Sequence, residues 1–145
     1  MFGSTHSFLR RFLYLFLTLA LFPPITPDVH AQAYEKELNI SSKTLLTIKN
    51  RTGRVSVIAS DNEKDASSLK ATSTGARVEP GDITVSGNEI VVRERPYRID
   101  LTVHVPKRSR VKVESETGMV DVIGDLEVAD VITNTGTIQI GRAHV

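Results

Sequence analysis

Apolar and polar residues alternate along most of the chain beyond residue 40, and the alternation is cut by glycine, proline and asparagine. Within Thr44–Lys49, Leu46 and Ile48 fall on one face; Val55–Ile58 follows after the polar turn Asn50–Gly53. Ile99–Val105 alternates through Leu101, Val103 and Val105 until Pro106 stops it. A period of two places every second side chain on one face of a β-strand. Ile83 and Val85 sit between Pro80-Gly81 and Ser86-Gly87-Asn88, a turn that feeds Ile90–Val92. Short strands are further predicted at Val111–Val113, Val120–Ile123, Leu126–Val128, Val131–Thr133 and Thr137–Ile140. Residues 61–74 read as a polar loop with one short strand near Leu69–Thr72. No segment of residues 34–140 sustains the 3.6-residue period of a helix, so an all-β domain is predicted, with helix only in the first 33 residues.

One phrase occurs three times: Asn50-Arg51-Thr52-Gly53-Arg54-Val55-Ser56-Val57, Ser115-Glu116-Thr117-Gly118-Met119-Val120-Asp121-Val122, and Asn134-Thr135-Gly136-Thr137-Ile138-Gln139-Ile140. Each is a polar stretch, a Thr-Gly pair, then alternation. Recurrence of such a unit is the mark of stacked rungs, which build surfaces more often than active sites. Before Pro106 the strands are longer and their connections irregular; after it, short strands alternate with Gly or Asp turns. The expected architecture is a β-sandwich-like N-terminal part passing into a short-rung β-solenoid or ladder, with a plain β-sandwich as the competing arrangement.

The first 33 residues change the picture of address. Arg10 and Arg11 precede the apolar run Phe12–Phe22, prolines at 23, 24 and 27 end it, and Val29-His30-Ala31 and Ala31-Gln32-Ala33 are cleavage patterns. This is the layout of a secretory signal peptide over residues 1–33, cut after Ala31 or Ala33. The run is far shorter than the roughly 20 residues a membrane helix needs. The chain has no Cys, which excludes a lipid-anchored lipoprotein and a disulfide framework. An exported protein is expected, in the periplasm, on the outer surface or outside the cell.

Charge and chemistry narrow the function further. Eighteen Lys and Arg balance 17 Asp and Glu, so neither nucleic-acid binding nor strong membrane steering is expected. His104 is the one histidine of the credible domain, and alternation turns it away from the face of Leu101, Val103 and Val105 toward solvent. One His without Cys makes no zinc site, and no serine has the Gly-x-Ser-x-Gly setting of a hydrolase. Asp121, Asp125 and Asp130 are placed near turns, and Glu114 and Glu116 precede a Thr-Gly pair; the glycine-aspartate repeat of calcium-binding solenoids is missing. No catalytic, cofactor or metal residues are therefore assigned. Lys107, Arg108, Arg110 and Lys112 form the sharpest charge cluster, a weak contact for an anionic ligand, which Arg93, Arg95 and Arg98 would extend if their strands pair. Solvated strand-end charge is the blander reading of the same cluster. Asn39-Ile40-Ser41 and Asn50-Arg51-Thr52 match the N-glycosylation pattern.

Three segments together resemble the putative-adhesin family of bacterial envelope proteins. Leu45–Val57 resembles its opening motif, Ile99–Pro106 its central proline-ended strand, and Val111–Val122 the first of its repeated rungs. The resemblance runs from Leu45 to Ile140 and implies an exported, β-solenoid-like domain without catalytic residues. The family usually carries more rungs than this chain shows. The tail from Ile140 to Val145 also resembles one reading frame of a common sequencing adapter. Residues 34–140 are accordingly expected to be the N-terminal fragment of a longer β-repeat domain, and residues 141–145 a non-native tail. The expected function is a non-enzymatic binding or scaffolding module for envelope glycans or envelope proteins, able to self-associate through its open C-terminal edge. An envelope-stress accessory or sensor protein and a polysaccharide-acting solenoid enzyme are the alternatives.

Overall fold

Most of the alternating segments form strands where the sequence places them, and hydrogen bonding joins them into one sheet. The structure is a computed structural model that describes residues 33–60 and 67–141. The proposed signal peptide lies outside these residues, apart from Ala33, and so does the tail beyond Gly141. Nine strands are formed: β1 (Tyr34–Glu37), β2 (Leu45–Thr52), β3 (Val55–Ser60), β4 (Ser68–Ser73), β5 (Ile83–Ser86), β6 (Glu89–Val92), β7 (Ile99–Pro106), β8 (Arg110–Ile123) and β9 (Val128–Gly141). Among the described residues the one helical element is a single 3-10 turn, Pro80–Asp82. The domain is all-β, a mixed nine-stranded sheet curled into a half-barrel.

Pairing follows the repeated phrase. β2 and β3 lie in succession along the same edge of β8, all parallel, with Leu46 opposite Val111, Ile48 opposite Val113, Val55 opposite Val120 and Val57 opposite Val122. β9 covers the other edge of β8 in one unbroken register from Arg110–Val128 to Ile123–Gly141. β6 and β7 run parallel to β2 and β3 on their far side, and antiparallel β5, β4 and β1 complete the sheet. The sheet thus has two arms. The first holds β5, β6, β2 and the leading halves of β8 and β9; the second holds β1, β4, β7, β3 and the trailing halves.

The arms meet at a column of glycines, and here the structure corrects the expectation of separate short strands. Val111–Val113 and Val120–Ile123 belong to one 14-residue strand, as do Val131–Thr133 and Thr137–Ile140. Gly118 and Gly136 are bends inside those strands rather than chain reversals. Their φ angles are 145° and 154°, and Gly53, between β2 and β3, has 130°, values that L-residues with a side chain rarely adopt. Stacking adds a second demand. A Cβ on Gly118 would collide with the Gly53 carbonyl oxygen, one on Gly136 with that of Gly118, and one on Gly53 with that of Ile99. Each corner carbonyl therefore fills the space in which the next rung would carry a side chain.

The corner also switches the inward parity. Leu46, Ile48, Ile90, Val111 and Val113 point inward before it; Val55, Val57, Val120 and Val122 do so after it, joined by Leu69, Leu101 and Val103, and all are 3% exposed or less. Leu126, predicted to be in a strand, precedes β9 and packs partly buried against this core. β1 was not visible in the alternation, because Tyr34–Glu37 is a mostly charged edge strand.

Between β6 and β7 the connection is tied down by Asp82, which is fully buried. Its Oδ2 accepts from the Glu79 N–H at 2.9 Å and from the Tyr97 hydroxyl at 2.8 Å, and Oδ1 pairs with Arg95. Burial pushes this carboxyl up, but the bonds from Glu79, Tyr97 and Arg95 outweigh it and hold it below its ordinary value. The Tyr97 hydroxyl is raised in turn, first by donating to Asp82 and then by desolvation.

Candidate binding surfaces

The outward face of the first arm is a ladder of charges. Because Leu46, Ile48, Val111 and Val113 point inward, Thr47, Lys49, Lys112 and Glu114 point outward, with Asp130 and Ile132 of β9 in the same rows. Lys49 pairs with Glu89 at 2.7 Å, Lys112 with Glu114 at 2.9 Å, and Arg51 bridges Glu116 at 2.7 Å while also pairing with Glu94. The hydrogen bond from Lys112 holds the Glu114 carboxyl below its ordinary value and raises Lys112 itself; Glu89 raises Lys49 in the same way. A groove of about 490 Å³ runs across the rungs beside the corner, lined by Lys49, Arg51, Glu116, Ile132 and Asn134 among others. Ile132 is 51% exposed in it. Paired charges flanking an exposed isoleucine form a near-neutral amphipathic strip, suited to contact with a polar polymer or another protein surface.

The outward face of the second arm is quieter. Ser56 and Asp121 occupy one row, with the Ser56 hydroxyl donating to Asp121 at 3.4 Å and Arg54 close to the same carboxylate at 3.4 Å. Thr102 and His104 lie on β7 opposite Ser56 and Ile58. His104 is half-buried on the outward face, where alternation placed it.

The four basic residues singled out by sequence occupy two settings. Lys107 and Arg108 are in the turn between β7 and β8, while Arg110 and Lys112 share the outward face of β8. The turn is held by Ser109, whose hydroxyl donates to the Pro106 carbonyl at 2.6 Å, and Arg108 takes a positive φ of 58°. Backbone bonds from Arg108 N–H to the Asp125 carbonyl and from Glu127 N–H to the Ser109 carbonyl bring acidic residues beside the basic ones. Lys112 is paired with Glu114. Arg93, Arg95 and Arg98 do not extend the cluster, because they lie in the connection between β6 and β7, and β2 and β3 stand between those strands and β8; Arg95 serves Asp82 and Arg98 pairs with Asp100 at 2.6 Å.

Two further residues differ from expectation. Asp130 is within β9 rather than between two strands. Asn50 is only 3% exposed and donates from Nδ2 to the Ile99 carbonyl at 3.0 Å, which removes it as a glycosylation acceptor. Among the described residues no three His, Cys, Asp or Glu side chains are grouped to hold a metal ion. Sequence reasoning missed Asp82, since a lone Asp after Pro-Gly reads as turn chemistry and its side-chain partners Arg95 and Tyr97 lie more than a dozen residues away.

Comparison with known proteins supports the fold from outside the sequence. No family model matches the chain, and no curated protein matches it. A solved structure does: a putative cell adhesion protein from Clostridium sporogenes, with a TM-score of 0.51 at 14% identity. The match covers 72% of this chain and 58% of that one, so the chain spans somewhat over half the length of the protein it resembles. At this identity the likeness is one of fold.

Proposed function

We propose that this chain is an exported, non-enzymatic binding module of the bacterial cell envelope, in which a short β-solenoid presents rigid outward faces to envelope glycans. The observation that carries the reading is the single register running through β2–β3, β8 and β9 about the glycine column. Stacked rungs with a common corner hold their outward side chains at a fixed spacing of about 4.8 Å, a regular comb for a repeating polymer. Fold likeness to a structure described as a putative cell adhesion protein supports the same reading. The N-terminal layout of charge, apolar run and Ala-Gln-Ala supports export.

The test is retention of the exported protein on isolated envelope material. Saturable binding to cell-wall or capsular polysaccharide, weakened by Ile132→Lys in the groove and leaving the polymer intact, is the expected result. No retention on any envelope fraction, or release of new reducing ends from the polymer, overturns it.

A further inference from the structure

Two stretches of the chain carry the Asn-x-Ser/Thr pattern of a glycan acceptor, Asn39-Ile40-Ser41 and Asn50-Arg51-Thr52. In sequence they are equivalent, and folding separates them. Asn50 lies within β2, opposite Ser115 of β8, and is buried. Its Nδ2, the atom that would carry a sugar, is already donated to the Ile99 carbonyl. A glycan attached there would prevent the two arms from meeting at the corner.

Asn39 has the opposite setting. It stands exposed in the irregular segment between β1 and β2. Its two neighbours hold it there. Leu38 and Ile40 belong to the core, and the Leu38 N–H donates to the Ser67 carbonyl at 2.6 Å. With both flanking side chains packed inward, that of Asn39 faces water. Ser41, the third member of the pattern, is exposed as well and opens a turn. Its carbonyl accepts from the Thr44 N–H at 3.1 Å, and its hydroxyl accepts from the Lys43 N–H at 3.4 Å. The acceptor amide and the hydroxyl two residues later are thus both presented on a surface loop, where added bulk is tolerated best. A polar sugar at Asn39 would displace no packed side chain.

We propose that Asn39 is an N-glycosylation site, receiving an oligosaccharide from a lipid-diphosphate carrier, and that Asn50 stays bare in the folded protein. In the transfer, Nδ2 of Asn39 bonds to the anomeric carbon of the first sugar as the carbon–oxygen bond to the diphosphate breaks. The bonding pair leaves with the lipid diphosphate, and one amide proton passes to a base of the transferase. The site rests on the export proposed above, because glycans of this kind belong to secreted proteins. It is independent of what the outward faces bind.

Intact-mass and peptide-mapping mass spectrometry of the full chain, produced in the organism that encodes it and recovered from its envelope, is the test. The expected mass exceeds that of the polypeptide by a whole number of sugar residues, all on the peptide holding Asn39. Asn39→Gln and Ser41→Ala should each remove the added mass, and Ser41→Thr should keep it. All three positions changed are exposed, so the variants should unfold at the parent's midpoint. A bare polypeptide that begins after Ala31 or Ala33 overturns the proposal and leaves export standing. A bare polypeptide that still begins at Met1 overturns export and this site with it. Sugar on Asn50, or added mass that survives Asn39→Gln, overturns the assignment of Asn39.

Discussion

Two columns of the sheet contain the same position of the repeated phrase in three successive rungs, and their fates diverge at the last. Val55, Val120 and Ile138 form one column; Val57, Val122 and Ile140 form the other. The first two members of each are at most 3% exposed, while the third is 42% exposed in one and 64% in the other. Burial here belongs to the rung's place in the stack and not to the phrase. An interior rung has a sheet neighbour on both sides; among the described residues β9 has one. The glycine column shows the same contrast, since the Gly53 and Gly118 carbonyls are covered by the next rung and, among the described residues, no rung covers that of Gly136.

The strongest way to break this contrast is at the corner. Gly118→Ala forces a Cβ into the Gly53 carbonyl at a φ of 145°, and chemical denaturation should show a loss of more than about 3 kcal/mol. Gly136→Ala meets a similar collision with Gly118, but β9 can lift away. Its global unfolding should therefore fall by less than about 2 kcal/mol, with the loss of protection confined to β9. Equal global costs for the two would contradict the account.

At the clamped connection, Asp82→Asn removes a buried charge from Arg95 and should cost about 3 kcal/mol. The sign of its pH dependence follows from a depressed folded pKa. The stability it contributes is complete above its ordinary value of 3.8 and is lost as the pH falls from there through the folded value. Acid titration of unfolding should therefore be flatter in Asp82→Asn than in the parent; an unchanged acid limb would show that Asp82 is not held as described.

A smaller effect sharpens the column comparison directly. Val120→Ala should cost about 2 kcal/mol, whereas Ile138→Ala, although a larger truncation, should cost less than about 1 kcal/mol because much of the side chain is already in water. Smallest of all is the charge ladder. Lys112→Ala and Lys49→Ala break exposed pairs and should leave the unfolding midpoint unchanged at moderate salt; a clear shift would mean that the outward face takes part in holding the rungs.

Alternation alone located β2, β3 and β7, because each buries one face and exposes the other. It failed at β1, whose mostly charged Tyr34–Glu37 is stabilised by backbone pairing with β4 and leaves no apolar signature. The Thr-Gly pairs were visible as a repeat, but their meaning was not. A glycine with positive φ usually signals a turn, and only the carbonyl stacked on it reveals a bend inside a continuous strand. The basic cluster was legible as composition. Its neutralisation by Glu114, and its separation from Arg95 and Arg98, depend on strand order, which local pattern does not encode. Asp82 and the open edge of β9 likewise arise from contacts distant in sequence.

The central claim is that β8 is an interior rung and, among the described residues, β9 a one-sided one in the same register, and native-state hydrogen exchange of the monomer at low concentration tests it most directly. The account predicts protection along the whole of β8, with alternation in β9, whose outward residues bond back to β8 as Gly141 does to Gly124: Ile132 and Gln139 protected, Val131, Thr133, Ile138 and Ile140 exchanging freely. Uniform protection of β9, or an unprotected half of β8, would contradict it.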